Sequence, residues 1–430
     1  MWLVVDQGGG SLKLGVAGSA RPQVVPCCVA QPRRSAATLL VGRQVEPELN
    51  GQPLGPGAWT PGELVVRRAT ERGYPTDFEV LLEVWSRALR DLVGGSGGVT
   101  GVVVSVPPHT PRELLQQLDA MIRGQLKVER VIRAQPAALA AAAAREAGLA
   151  GPFCLVVDCG YSFSHVTPVC GGRPLEGALR RLDVGGKALT NLLKELISYG
   201  QVNVMDDTYV VDLLKRELCF VSQDPAADLE LLSALRRAPS LPAGLRMPPA
   251  QRLEVHARFF RRYVLPDFVS VHRGFLLDPA TTQEDELARY ARHTVELSVE
   301  RFLVPEALFD PSVIGLPQAG LPELVAQVLA RCPPELRDLL RANVLVVGGS
   351  SLFPGFCQRL QRELGPAFTV RHSKDPLTAA WEGGRSALND IKADTKAAKL
   401  EVPVRAAAPA VSAAPAVAAA PPAKDLKRKR

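Results

Sequence analysis

Residues 153–169 read F-C-L-V-V-D-C-G-Y-S-F-S-H-V-T-P-V, and the fold is decided there. A β-branched apolar run ends in an acid and a Gly turn, and a second alternating run follows, which predicts a buried strand, a tight turn and a strand. The N-terminus repeats the pattern. In W-L-V-V-D-Q-G-G-G-S-L-K-L-G-V, Leu3, Val4, Val5 and Asp6 stand where Leu155, Val156, Val157 and Asp158 stand 152 residues later. Glycine turns expose backbone N–H groups that can cradle phosphate oxygens, and an Asp at a strand end can hold a hydrated divalent cation against them. Either hairpin alone reads as a structural turn. Two in register could close on one triphosphate from both sides.

The rest of the chain fits a layered α/β protein. The 430 residues are 47% hydrophobic, enough for a large core and two or three domains. Of the formal charge of +7, six come from 391–430, where nine Lys/Arg face three Asp/Glu, so the body is not a basic nucleic-acid-binding surface. The eight cysteines form no C-x-x-C pair, which argues against a zinc site or a disulfide framework and for a reducing compartment. No signal peptide or membrane span is expected. The six histidines are scattered and suggest no site.

After the first hairpin, 19–71 reads as loops with short strands. A helix is expected from Thr76, ended by the glycines of 94–98, then a buried strand over 101–105 and a helix opened by a Thr110/Glu113 capping box. A short strand near 128–132 and an alanine-dense helix before Gly148 complete a β-α alternation. Beyond the second hairpin, Gly185-Gly186-Lys187 resembles a P-loop, but no Gly lies five positions before Gly186 and Ala188 replaces the metal-binding Ser or Thr. Asp206-Asp207 are placed to cap a helix over 208–219, and 222–262 reads as irregular. A strand running into Gly348-Gly349 is a third turn where a base or sugar could rest. Residues 406–423 contain only Ala, Pro, Val and Ser and predict disorder, and the chain closes on K-D-L-K-R-K-R, a nuclear-import candidate.

The two hairpins together with R-L-D-V-G-G-K-A-L-T (181–190), E-R-F-L-V-P-E-A-L-F-D-P-S (300–312) and N-V-L-V-V-G-G-S-S-L-F-P-G-F (343–356) resemble actin and the actin-related proteins. The likeness runs from Met1 to about Asp390 and is weakest over 19–71. Within that family, D-C-G-Y-S-F-S-H-V (158–166), M-D-D-T-Y-V-V (205–211) and Y-V-L-P-D-F (263–268) are similar to the branch that serves SRCAP/Swr-type chromatin remodellers, which exchange nucleosomal histone for the Z-type variant.

The resemblance implies an actin-like, ribonuclease-H-like duplicated α/β fold in two lobes. The first is 1–148 plus 372–390, with 28–68 its outer subdomain; the second is 149–371, with 185–318 its outer subdomain and an insertion at 269–299; 391–430 is a basic tail. It implies ATP or ADP with magnesium in the cleft, in a structural role. Asp6, Gly8, Gly9 and Lys13 match the first phosphate loop and Asp158 and Gly160 the second. Asp183, Gly185 and Gly186 match a cleft turn, Lys215 a base contact and Gly348-Gly349 the adenosine loop; Asp6 and Asp158 would hold the metal through water.

The departures from the family pattern imply weak catalysis. Tyr161 stands where actin has a second metal-ordering Asp, and a neutral phenol cannot replace that carboxylate. The water-orienting Gln of actin matches Pro136 or, with a one-residue slip, Gln135. The first-loop Ser is Gly9, and the acid beside the base-contacting Lys is Arg216. The expected protein is therefore a non-catalytic nuclear scaffold subunit, not an enzyme, with remodelling-complex partners that include a zinc-HIT-finger subunit and, indirectly, the nucleosome. An active ATPase using lobe closure is the alternative. Residues 67–70 do not keep actin's polymerisation loop, so no filament is expected, and no membrane is involved.

Overall fold

The computed structural model describes residues 1–393 apart from 34, 36–37, 47, 50–51, 54–62, 94–97, 126, 129, 238–246, 269, 278–288 and 291–292. The tail from 394 onward, including the import candidate, and most of the central part of the 269–299 insertion lie outside the described residues.

Two sheets share one plan. In the first, the central strand Trp2–Gln7 runs parallel to Gly101–Ser105, which is parallel to Arg130–Ala134; on its other side lie the antiparallel Ser11–Val16 and then Gln23–Pro26. In the second, Phe153–Cys159 is central, with Val344–Val347 and Val370–His372 parallel on one side and Ser164–Cys170 and Arg173–Pro174 antiparallel on the other. The registers repeat as well. Asp6 faces Lys13 across its hairpin and Asp158 faces His165 across the second.

Both faces of each sheet are apolar because both are covered by helices. Leu3, Val5, Val102 and Val104 pack against Leu81, Val84 and Trp85 of the helix Phe78–Val93. The opposite face, Val4 and Val103, meets Trp381 and Leu388 of the helix Ala379–Ala393. In the second sheet, Cys154, Val156, Leu345 and Val347 pack on Ala137, Ala140, Ala141 and Ala144 of the helix Pro136–Glu146. The chain thus crosses over: the alanine helix follows the first sheet in sequence but lies on the second, and the last helix returns to the first. These two helices pack on each other, and a Cβ at Gly383 would overlap the Leu139 carbonyl. Small side chains permit that approach, and Trp381 is anchored by donating from Nε1 to the Val4 carbonyl at 3.1 Å.

Short strands do occupy the first outer region, Cys28–Pro32 pairing with Leu40–Val41 and Leu64–Arg68. Three expectations need correction. The helix expected from Thr110 is Arg112–Ala120 with no side-chain cap, because Thr110 Oγ1 is turned to the Pro107 carbonyl at 2.6 Å. Asp207 precedes the helix Thr208–Leu218 without a side-chain capping bond. Residues 222–262 are not irregular: Pro225–Arg237 and Pro249–Phe259 are helices, held through Leu232, Val255 and Phe259 against Phe302, long-range contacts that a sparse apolar pattern does not announce. Within 269–299, the segment expected to be an insertion, Phe275–Leu277 and Thr294–Leu297 flank Arg261–Val264 in a three-stranded sheet. Among the described residues no helix is long and apolar enough to cross a membrane.

Candidate functional site: a cleft between paired hairpins

Ligands in open α/β sheets bind outside the carboxyl ends of parallel strands, and here the two ends carrying Asp6 and Asp158 open into one cleft. It is lined by Asp6, Gly8, Gly9, Lys13, Asp158 and Gly160, with Gly348 and Gly349 from the third turn. The duplicated hairpin plan brings these eight predicted residues together.

The first hairpin is pre-organised. Lys13 Nζ lies 3.1 Å from Asp6 Oδ2, both nearly buried, and Ser105 Oγ donates to Asp6 Oδ1 at 2.6 Å while accepting from the Gln7 N–H. Gln7 is fixed in turn by Trp85 Nε1 at 2.8 Å. The second loop is pinned from outside: Gly186 N–H and Ser350 Oγ donate to the Gly160 carbonyl, and Lys187 N–H to the Tyr161 carbonyl at 2.8 Å. Gly348, at φ +90°, passes so close to the Asp158 strand that a Cβ would lie 2.8 Å from Asp158 Oδ1.

Asp158 differs from Asp6. Among the described residues no donor bonds to its carboxylate; burial and then the nearby Asp6 push its pKa up to about 6, and Lys13 only partly offsets them. Two carboxylates facing one space without enough positive charge form a setting that a divalent cation fits, since its charge would offset both the burial and the mutual repulsion. Asp6 and Asp158 would hold such an ion, directly or through water, and it would neutralise phosphate charge between the loops.

The family model for actin matches residues 2–392. This chain belongs to the actin family. It is 34% identical to actin-related protein 6 of rice (Oryza sativa subsp. indica), an alignment that covers 89% of this chain and 91% of that protein. The Drosophila melanogaster protein of the same name is also 34% identical, over 89% and 92%, and the Arabidopsis thaliana one 31%, over 89% and 91%.

Against the actin pattern, several residues sit differently from what the sequence led us to expect. Lys215 does not line the cleft. It is buried, and its Nζ donates to Gly186 O (3.0 Å), Thr190 Oγ1 (2.7 Å) and Asp212 Oδ1 (2.7 Å), so all three protons are used within the protein. Arg216 joins the same acid at 3.1 Å from Asp212 Oδ2. Asp183 is exposed and bound by Arg181 at 2.6 Å and Gln318 at 2.9 Å, and Gly185 and Gly186 support the second loop from behind without facing the cleft. Tyr161 does not line the cleft: its ring packs on Gly10 and lies under the Arg68 guanidinium, 4.9 Å from the ring centroid. Gly9 has a local reason, because a Cβ there would collide with Ser162 Oγ.

Two residues emerge that the reading of the sequence undervalued. Gln135, at the N-cap of the alanine helix, lines the cleft beside Pro136; its Nε2 donates to Glu176 Oε1 at 2.8 Å, while Oε1 is buried without a partner among the described residues. His165 also lines the cleft, contrary to the expectation that no histidine marks a site. Burial, with Arg181 next in weight, lowers its pKa to about 3, so it is neutral at pH 7. The signal was present, since the 152-residue offset that pairs Asp6 with Asp158 also pairs Lys13 with His165.

Proposed function

We propose that this actin-family protein is a non-catalytic scaffold subunit of a nuclear chromatin-remodelling complex that deposits the Z-type histone variant. Its similarity to actin-related protein 6 along nine-tenths of the chain supports the assignment. The observation that carries the non-catalytic part is Tyr161: the loop keeps its backbone frame but offers no second carboxylate to the metal's water shell, and the phenol is committed to Arg68. In-line attack on a γ-phosphate depends on one positioned water, so a loosened shell removes most of the rate while leaving a clamp for the phosphates. ATP or ADP with magnesium then serves to hold the two lobes together; at about a thousand times its Kd a ligand adds roughly 4 kcal/mol to the folded state. The partners are the remodelling motor, a zinc-HIT-finger subunit and, through them, the nucleosome; the chain forms no filament.

The active-ATPase reading has one observation in its favour, the amide of Gln135 in the cleft with its oxygen unpartnered among the described residues. A magnesium-dependent phosphate-release assay separates the two. No measurable turnover by wild-type protein supports the scaffold; turnover at an actin-like rate that disappears in Asp158→Asn would establish the enzyme. Affinity purification from nuclei tests the partners, and absence of a remodelling motor and a zinc-HIT subunit among stable co-purifying chains would refute the assignment.

A further inference from the structure

A second cavity lies on the other side of the paired loops, between the 68–72 segment of the first outer region and the first turn of the helix Gly186–Gly200. Ser162 lines both it and the cleft. Its walls are cationic. Arg68, Arg72 and Lys187 converge on it with one acid, Glu71. Lys187 Nζ is 3.9 Å from Glu71 Oε2 with both side chains substantially exposed, a contact of little energetic weight. Among the described residues no acid lies within 4.0 Å of Arg68 or Arg72, and Asp183, which feels the Arg72 charge, is already bound by Arg181 and Gln318.

Of the three cations Arg68 is held in place, while the Arg72 and Lys187 side chains stand at the exposed rim. Arg68 is fixed over the Tyr161 ring. Arg72 sits at φ +45°, a backbone state kept by the turn into Gly73 (φ +78°), whose missing Cβ makes room for the Phe163 ring. Asn191 and Ser162 add neutral donors, and the helix N-terminus adds partial positive charge. Guanidinium groups and hydroxyl and amide donors converging from both lobes match a tetrahedral oxyanion.

We infer that this cavity binds a small phosphate-class oxyanion that bridges the two lobes, independently of the nucleotide cleft. The Tyr161 substitution acquires a role in that arrangement: a carboxylate at 161 would neutralise Arg68, whereas a phenol orients it and leaves its charge available.

The test is isothermal titration calorimetry of the full chain with inorganic phosphate and with pyrophosphate, in chloride buffer at matched ionic strength. Each of Arg68→Ala and Lys187→Ala is expected to weaken binding by about ten- to a hundredfold, the effect of removing one charge-assisted contact. Arg68→Lys, which keeps the charge, should recover part of it, and filling the cleft beforehand with magnesium-ADP should leave it unchanged; circular dichroism checks that each variant is folded. Three results overturn the inference. These are no binding by roughly 10 mM phosphate, equal competition by chloride, or loss of binding once magnesium-ADP fills the cleft with Arg68→Ala and Lys187→Ala unaffected, which places the anion in the cleft.

Discussion

Replacing Asp158 by Asn should stabilise the protein, and only above acid pH. The carboxyl titrates near 6 in the folded chain against an ordinary 3.8, because burial and Asp6 disfavour its charged form. Between those values the folded state binds more protons than the unfolded state, so stability falls as pH rises through the window. About two pKa units at 1.36 kcal/mol each give a cost of about 3 kcal/mol, fully present above pH 6 and absent below pH 4. Asn has nearly the same shape and no charge, so Asp158→Asn removes that cost. Urea unfolding of both proteins at pH 5, 6, 7 and 8, without nucleotide or divalent ions, measures it. The variant's advantage should be about half its full value at pH 5 and level off at about 3 kcal/mol by pH 7. His165 works in the opposite sense, its depressed pKa taking stability away as pH falls below its ordinary 6.5 towards 3. It is common to both proteins, so the difference between them isolates Asp158. Magnesium should narrow the gap by stabilising the wild type alone. An advantage equal at all pH values, or a variant less stable at pH 8, would refute the reasoning.

Gly9→Ser should destabilise by about 1–3 kcal/mol through collision with Ser162, and Ser162→Gly in the same chain should restore most of it; thermal melts of the two singles and the double form the cycle. Lys215→Met should cost about 3 kcal/mol in denaturant unfolding, because it strips Thr190 and Asp212 of a buried donor, while leaving nucleotide affinity nearly unchanged if Lys215 makes no base contact. A large affinity loss in a folded variant would return that residue to the cleft. Gly383→Ala should be severely destabilising, more than about 3 kcal/mol, because the Leu139 carbonyl of the crossing helix occupies the space of the new methyl; a melting temperature within a few degrees of wild type would count against the crossing.

The sequence by itself determined the duplicated strand-acid-turn-strand units, the third glycine turn and the alanine helix, because alternation, β-branched runs and glycine turns are set by contacts a few residues apart. It therefore gave the family and eight residues of one cleft. Tertiary structure alone decided which way side chains point. Tyr161 could be read as filling the metal position, but its ring goes where Gly10 leaves a gap and Arg68 supplies a cation. Lys215 was free to reach a base until Thr190 and Asp212, brought near by packing of neighbouring helices, claimed its protons. Gln135 and His165 enter the cleft through the placement of a helix N-cap and a strand partner, and the cationic cavity exists only because 68–72 and 187–191, far apart in the chain, meet across the lobes. Local pattern fixes what an element is; long-range packing fixes what each residue in it can touch.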